Sequence, residues 1–374
     1  MLSLRNFWRR HKRKILITAG VLGSGYFLCK LYNAHQQKLA DLERELARQR
    51  ANDEIIKAQL QGHFENVQLI ADTTSLPHAM QYLRARIAEV LDLSQLTERL
   101  QKGKGQPTTL TPSEKFELWD RLKILSFTQM LVSLWAVTML SLYIKVQVNI
   151  LGRHLYIDTA RGLESSLLLE NVDIADRDDQ QKFLASADFL ANNGLLALIP
   201  NIQAVVTEVL EGKKLTDLFN TTSLHETVMQ ILNKFMSVGS PHQWIDYLMP
   251  EDCGHFKVGP SSSIDDTILP DSTSFDQLMV EARAVLSSAE FGKIMGISLK
   301  VAVDALVDDM EAQSQSTGAS LTSGMPLAKL LSRILQIVPS LLGEASQNQI
   351  IQIIRNEPEV ELFFTLLYAN NLVD

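Results

Sequence analysis

Few residues in this chain are spaced for catalysis. His225-Glu226 opens like a zinc-protease motif, but that chemistry needs a second His at 229, and Met229 stands there. Cys253, His255 and His242 are three ligand-type side chains without the paired spacing of a metal site, which reads as loop composition. Gly20, Gly23 and Gly25 lie in an apolar run, not in the strand–turn–helix that a nucleotide fingerprint requires. Gly103-Lys104-Gly105 is a turn too short for a phosphate loop, and no Ser sits in a nucleophile elbow. The acid pairs Asp178-Asp179 and Asp265-Asp266 fall in polar segments that suit helix starts and solvated loops. The expectation is no catalytic residue, no metal and no cofactor, hence a protein that is not an enzyme and acts by binding other proteins. An enzyme assembled from scattered residues would instead show a deep polar pocket with strongly perturbed carboxylates or His.

One constellation suits binding. Lys115, Trp119 and Lys123 follow i, i+4, i+8, so they share a helix face, and Leu122 adjoins Trp119 at i+3. An exposed aromatic with leucine beside it and cations around it fits an amphipathic helix that carries acids. A Trp at the core margin under snorkelling lysines fits the same spacing, and spacing alone favours that reading slightly.

The elements that would position this face are helical. The 374 residues are 46% hydrophobic and 21% charged, enough apolar material for a sizeable core. The net charge of −8 is uneven: seven of the 35 cations lie in residues 1–32, which hold none of the 43 acids. The acidic remainder argues against a nucleic-acid surface, which needs clustered cations. Two cysteines, Cys29 and Cys253, make no disulfide framework and suit a reducing compartment.

Arg9, Arg10, Lys12, Arg13 and Lys14 form a basic tail (1–14) ahead of the apolar run 15–32. That run is slightly short for a membrane span, and Lys14 and Lys30 could snorkel to extend it. Its bulky end, Phe-Leu-Cys-Lys-Leu-Tyr, lacks the small residues of a signal cleavage site, so a permanent anchor is expected. The charge rule alone would place the basic tip in the cytosol.

From 33 the pattern is a long amphipathic helix to about 71, then helices over about 75–91 and 94–100. Ser75-Leu76-Pro77 reads as a helix start. Thr111-Pro112-Ser113-Glu114 is a capping-box signal, and no Gly or Pro follows until Gly152, which predicts a helix of about 40 residues and roughly 60 Å. Its apolar middle, 130–144, is short for a second span unless Phe127, Thr128 or Lys145 extend it; core is the favoured reading and a membrane span the alternative. Further helices are expected over about 177–192, 195–211, 222–237, 274–290, 292–313, 325–342, 347–355 and 358–370, with mobile loops near 101–112, 258–274 and 313–323. The fold class is all-α: a single-domain bundle of long helices, 33–374, on an N-terminal transmembrane anchor.

Lys115-Phe-Glu-Leu-Trp-Asp-Arg-Leu-Lys-Ile-Leu-Ser-Phe-Thr128 and Lys145-Val-Gln-Val-Asn-Ile-Leu-Gly152 resemble the peroxin-3 family. The basic-then-apolar N-terminus, Leu248-Met-Pro-Glu-Asp252 and Pro326-Leu-Ala-Lys329 resemble its landmarks in the same order. The resemblance implies a single-pass peroxisomal membrane protein with a short lumenal N-terminus, reversing the charge-rule orientation, and a large cytosolic helical domain. It implies a docking receptor for peroxin-19, the soluble chaperone of newly made peroxisomal membrane proteins, whose N-terminal helix would lie in a hydrophobic groove. Trp119, Lys115, Lys123, Leu122 and, across a variable loop, Leu100 match the groove positions. Membrane lipids and, indirectly, cargo membrane proteins are the other implied partners, and Arg9, Arg10, Lys12, Arg13 and Lys14 match the targeting segment. A passive tether for organelle inheritance or turnover factors is the alternative.

Overall fold

The computed structural model describes residues 38, 42–51, 54–55, 58–59, 61–102, 111–162, 173–240, 242–250, 274–315 and 320–369. The basic tail, the anchor 15–32, the loop 258–274 up to its last residue and most of the loop 101–112 lie outside the described residues. The chain divides into two compact units, Met1–His63 and Phe64–Asp374. In the first, the described residues are helical, and Leu42, Leu46 and Ile55 are exposed. The second is a helical bundle.

Helix α1 is Leu76–Val90 and α2 is Ser94–Lys102. The chain does not start afresh at Ser75, however. Residues 64–70 are already helical and run through a π-helical turn, Ala71–Ser75, directly into α1. Pro77 has no N–H for the carbonyl of Thr73, and a register slip over the preceding turn absorbs the loss without breaking the helix.

Helix α3, Pro112–Gly162, is the axis of the bundle. Its start is the expected capping box: Glu114 Oε2 accepts from Thr111 N at 2.8 Å and Glu114 N donates to Thr111 Oγ1 at 3.3 Å. The donors Thr111 N and Thr111 Oγ1, each 2.8 Å from Oε2, hold the Glu114 carboxyl below its usual pKa. Every residue from Met130 to Arg153 is buried, so the apolar stretch 130–144 is core. Pro112–Ile157 is long and apolar enough to cross a membrane, as is Arg177–Val209, but in the first 83% of the most apolar window is covered by its own protein.

The helix continues ten residues past Gly152, where a stop was expected. A β-carbon at 152 would stand 2.5 Å from Val67 Cγ2, so glycine is needed for the close crossing of 64–75 over α3 and does not end the helix.

Around α3 stand α4 (Asp173–Ala185), α5 (Leu195–Val209), α6 (Thr221–Ser237), α7 (Ser274–Leu286), α8 (Ala289–Gln315), α9 (Leu327–Leu341), α10 (Gln349–Arg355) and α11 (Pro358–Ala369). Helices α1, α2, α4, α5 and α7 to α11 pack against it. Helix α6 meets it through Trp135, whose ring lies edge-on to Phe235 and Tyr247 at 5.9 and 6.0 Å and whose Nε1 donates to Met236 Sδ at 3.4 Å.

The stretch expected as one helix, 177–192, starts earlier and ends at Ala185. A 3₁₀ turn, Ser186–Asp188, and a π turn, Leu190–Gly194, follow. Tertiary bonds fix that break: Tyr143 and Gln147 of α3 bond Ser186 Oγ at 2.9 Å each, and Gln147 also donates to Phe183 O at 2.6 Å.

The two strands among the described residues are β1, Leu218–Phe219, and β2, Met325–Pro326, paired antiparallel. Leu327 N and Ala328 N extend the ladder to Asp217 O and Leu215 O at 2.9 and 3.0 Å. The start of α9 is thereby fastened to the segment that follows α5.

The other end of α3 is polar and spent on internal pairs. Arg153 is 3% exposed and pairs with Glu281 of α7, which also meets His154 Nε2 at 2.8 Å. Lys145 lies over the Phe364 ring, 5.7 Å from its centroid; burial lowers its pKa, and nearby Asp72 opposes that shift.

Candidate functional site

The first turns of α3 project from the bundle among the described residues. Residues 111–117 are all exposed; Trp119 is half-buried against the core; Leu122 and Lys123 are 4% and 5% exposed. The expected face therefore runs from solvent into the protein along one side of the helix. Lys115 lies at its open end, Trp119 at the boundary, and Leu122 and Lys123 inside. Leu100 is buried on α2, which packs against α3.

Lys123 departs from its expected role. Its ammonium is 3.0 Å from Lys213 O, 3.4 Å from Leu210 O and 2.7 Å from Asp120 Oδ1. An ammonium has three hydrogens, and all three have acceptors inside the protein, so Lys123 is not turned toward a partner's acids. Spacing placed it correctly on the face of Trp119. Depth along that face decided its use.

Phe116 was not singled out from the sequence. It is 68% exposed, one turn before Trp119, and it extends the aromatic surface beyond the body. The signal was its i−3 spacing from Trp119.

Other candidate residues are scattered. His225 pairs with Asp304 Oδ1 at 2.8 Å, joining α6 to α8. His242 is exposed at φ 70°, and Cys253 and His255 lie outside the described residues. Among the described residues no group of three or more His, Cys, Asp or Glu side chains is placed to hold a metal ion. A cleft of about 390 Å³ between α1 and the α9–α10 connection has Pro77, Met80 and Leu342 in its wall, with Arg84 and Glu344.

The family profile described as Peroxin-3 matches residues 6–114 and 105–370, covering the anchor region, α3 and the bundle around it. The chain belongs to the peroxin-3 family. It is 57% identical to "Peroxisome biogenesis protein 3-2" and to "Peroxisome biogenesis protein 3-1" of Arabidopsis thaliana, over 98% of this chain and 98% of each relative. It is 28% identical to "Peroxisomal biogenesis factor 3" of Homo sapiens, over 91% of this chain and 88% of that one. Membership places the chain in peroxisome biogenesis and associates it with the peroxisomal membrane. Peroxin-3 proteins are a family of biogenesis factors, not a known family of enzymes.

Proposed function

We propose that this chain is a docking receptor, anchored by residues 15–32 in the peroxisomal membrane with its helical domain in the cytosol. It binds the N-terminal amphipathic helix of peroxin-19 at the exposed end of α3. Cargo membrane proteins released there enter the bilayer, and this chain hydrolyses no nucleotide.

The observation that carries the reading is Trp119: a large aromatic ring packed on the core yet left partly exposed, at the foot of turns that also present Phe116 and Lys115. Burying those rings under an apolar helix face supplies the affinity, as aromatic anchors do in protein interfaces. Leu122 and Leu100, already buried, would form the floor. Lys115 meets acids on the partner and improves encounter and orientation more than affinity.

The test is titration of the full-length chain in detergent micelles with a fluorescent peptide of the peroxin-19 N-terminal helix. Trp119→Ala is expected to weaken binding by about 2 kcal/mol or more, with the melting midpoint preserved. Unchanged affinity would remove the site from α3. A collapsed midpoint would make Trp119 a core residue.

A further inference from the structure

We infer that Lys123 is a positioning residue, which ties the turn after α5 to the docking face, and that the acid-facing cations of that face are Lys115, Lys213 and Lys214. The inference rests on the docking reading and deepens it.

Helix α5 ends at Val209, and its last carbonyls have no partners within the helix. Leu210 O accepts from Lys213 N at 3.2 Å and from Lys123 Nζ at 3.4 Å. A buried ammonium is favourable there, because the C-terminal end of a helix carries partial negative charge. Gly212, at φ 78°, turns the chain in a left-handed conformation that other residues rarely adopt. Lys214 N then donates to Asp217 Oδ2 at 2.8 Å, and the next residues enter the two-stranded ladder with β2.

The turn is thus held at both ends, by Lys123 on one side and by the ladder on the other. It presents Lys213 and Lys214 to solvent, with the Lys213 ammonium 5.8 Å from the Phe219 ring centroid. Lys123 follows Trp119 by one helical turn, and its ammonium touches the carbonyl of Lys213 itself. The Lys213 carbonyl is thus within reach of a side chain one helical turn past Trp119, and Lys213 and Lys214 are exposed on that neighbouring segment. They supply from α5's end the positive charge that Lys123 cannot supply from α3.

The two roles separate in kinetics. A contact cation steers encounter, so its loss slows association and flattens the salt dependence of the association rate. A strut sets the shape of the bound state, so its loss speeds dissociation. The experiment is stopped-flow mixing of the full-length chain in micelles with the peroxin-19 helix peptide over a range of salt. K115Q and the double variant K213Q/K214Q are expected to slow association roughly three- to tenfold at low salt, with dissociation and melting near wild type. K123M is expected to keep the wild-type salt dependence and to dissociate about tenfold faster, with K123R recovering part of the loss.

A flattened salt dependence in K123M would make Lys123 a contact cation and overturn the inference. Wild-type rates in K123M would leave it a structural bond without a docking role, which also overturns it. K213Q/K214Q changes only exposed residues, so it decides the matter even if K123M does not fold: wild-type association there refutes the assignment. Weakened binding in W119A beside wild-type kinetics in K213Q/K214Q removes this inference alone. Unchanged binding in W119A removes the docking site and the inference together.

Discussion

The crossing of Val67 over Gly152 allows a test whose sign reverses with background. Substituting Gly152 by Ala adds one carbon at a point 2.5 Å from Val67 Cγ2 and 3.1 Å from Cγ1. Val67 is 5% exposed and β-branched, so on a helix it has essentially one rotamer and cannot swing aside. Relieving the overlap means shifting backbone, at a cost of roughly 1–3 kcal/mol. Against this, Ala gains about 0.8–1.0 kcal/mol over Gly in a helix interior. The balance is a net destabilisation of up to about 2 kcal/mol for Gly152→Ala in the wild-type background. In a Val67→Ala background the overlap is gone and only the propensity gain remains, so the same substitution should stabilise by about 1 kcal/mol. The coupling between the two positions is then about 1–3 kcal/mol. Urea unfolding of the full-length chain, followed by tryptophan fluorescence in all four variants of the cycle, measures it. Gly152→Ala stabilising the protein with Val67 intact would refute the argument. It would mean that 64–75 does not press on α3 at this point, and that Gly152 has no packing role.

Two further predictions concern groups that fasten other parts of the bundle. Asn348 is 4% exposed; its Oδ1 accepts from Ile350 N and Ile351 N at 3.1 and 3.3 Å, and its Nδ2 donates to Leu341 O at 2.7 Å. Asn348→Ala should cost about 2–3 kcal/mol in urea unfolding, a lost cap plus a stranded buried carbonyl; a change under roughly 0.5 kcal/mol would place the α9–α10 connection otherwise. The Tyr368 hydroxyl is pushed up to about 12, first by burial and then by nearby Tyr156, with Arg153 opposing. The folded chain therefore keeps that proton where the unfolded chain, with its ordinary value of 10.0, has released it, so stability should fall as pH rises from 10 toward 12. Tyr368→Phe should flatten that alkaline fall in the urea midpoint, and an identical fall in the variant would assign it to other groups.

What the sequence showed and hid divides along physical lines. The Thr111–Glu114 capping box was legible because every partner lies within one turn. The apolar run 130–144 was legible as a stretch that must leave water, in a core or in a membrane, and its shortness for a span favoured core. Gly152 misled because a glycine is a helix stop in a local reading and a close-packing point in a tertiary one, and Val67, 85 residues away, decides which. The break after Ala185 was hidden because Tyr143 and Gln147 hold it from another helix. At the candidate site, i, i+4, i+8 spacing put Lys115, Trp119 and Lys123 on one side of α3. It could not find depth, so Lys123 was grouped with Lys115, although one is inside the protein and the other in solvent.

Depth along α3 also bears on why the proposed docking belongs at one end of that helix. From Met130 to Arg153 every residue is buried, which leaves no surface for a partner. Near Gly152 the charges are already matched: Arg153 by Glu281, and Asp72 by Arg355 at 3.1 Å. An incoming charged helix would have to compete with those pairs, in which Arg153 and Asp72 are the more buried members. The turns from Thr111 to Arg121 differ in both respects. Phe116 is 68% exposed and Trp119 partly exposed, and among the described residues the Lys115 side chain has no bond that a partner would need to break. On the docking reading, this end is therefore the one proposed to receive a partner helix. It lies roughly 50 Å along the axis from the Val67–Gly152 crossing, at 1.5 Å per residue. A helix docked at Trp119 therefore need not disturb the contacts that fasten 64–75 to α3, so binding there should leave the Gly152–Val67 coupling unchanged. Repeating the double-mutant cycle with the peptide at saturation checks this, and a coupling shifted by more than roughly 0.5 kcal/mol would show that the two ends of α3 communicate.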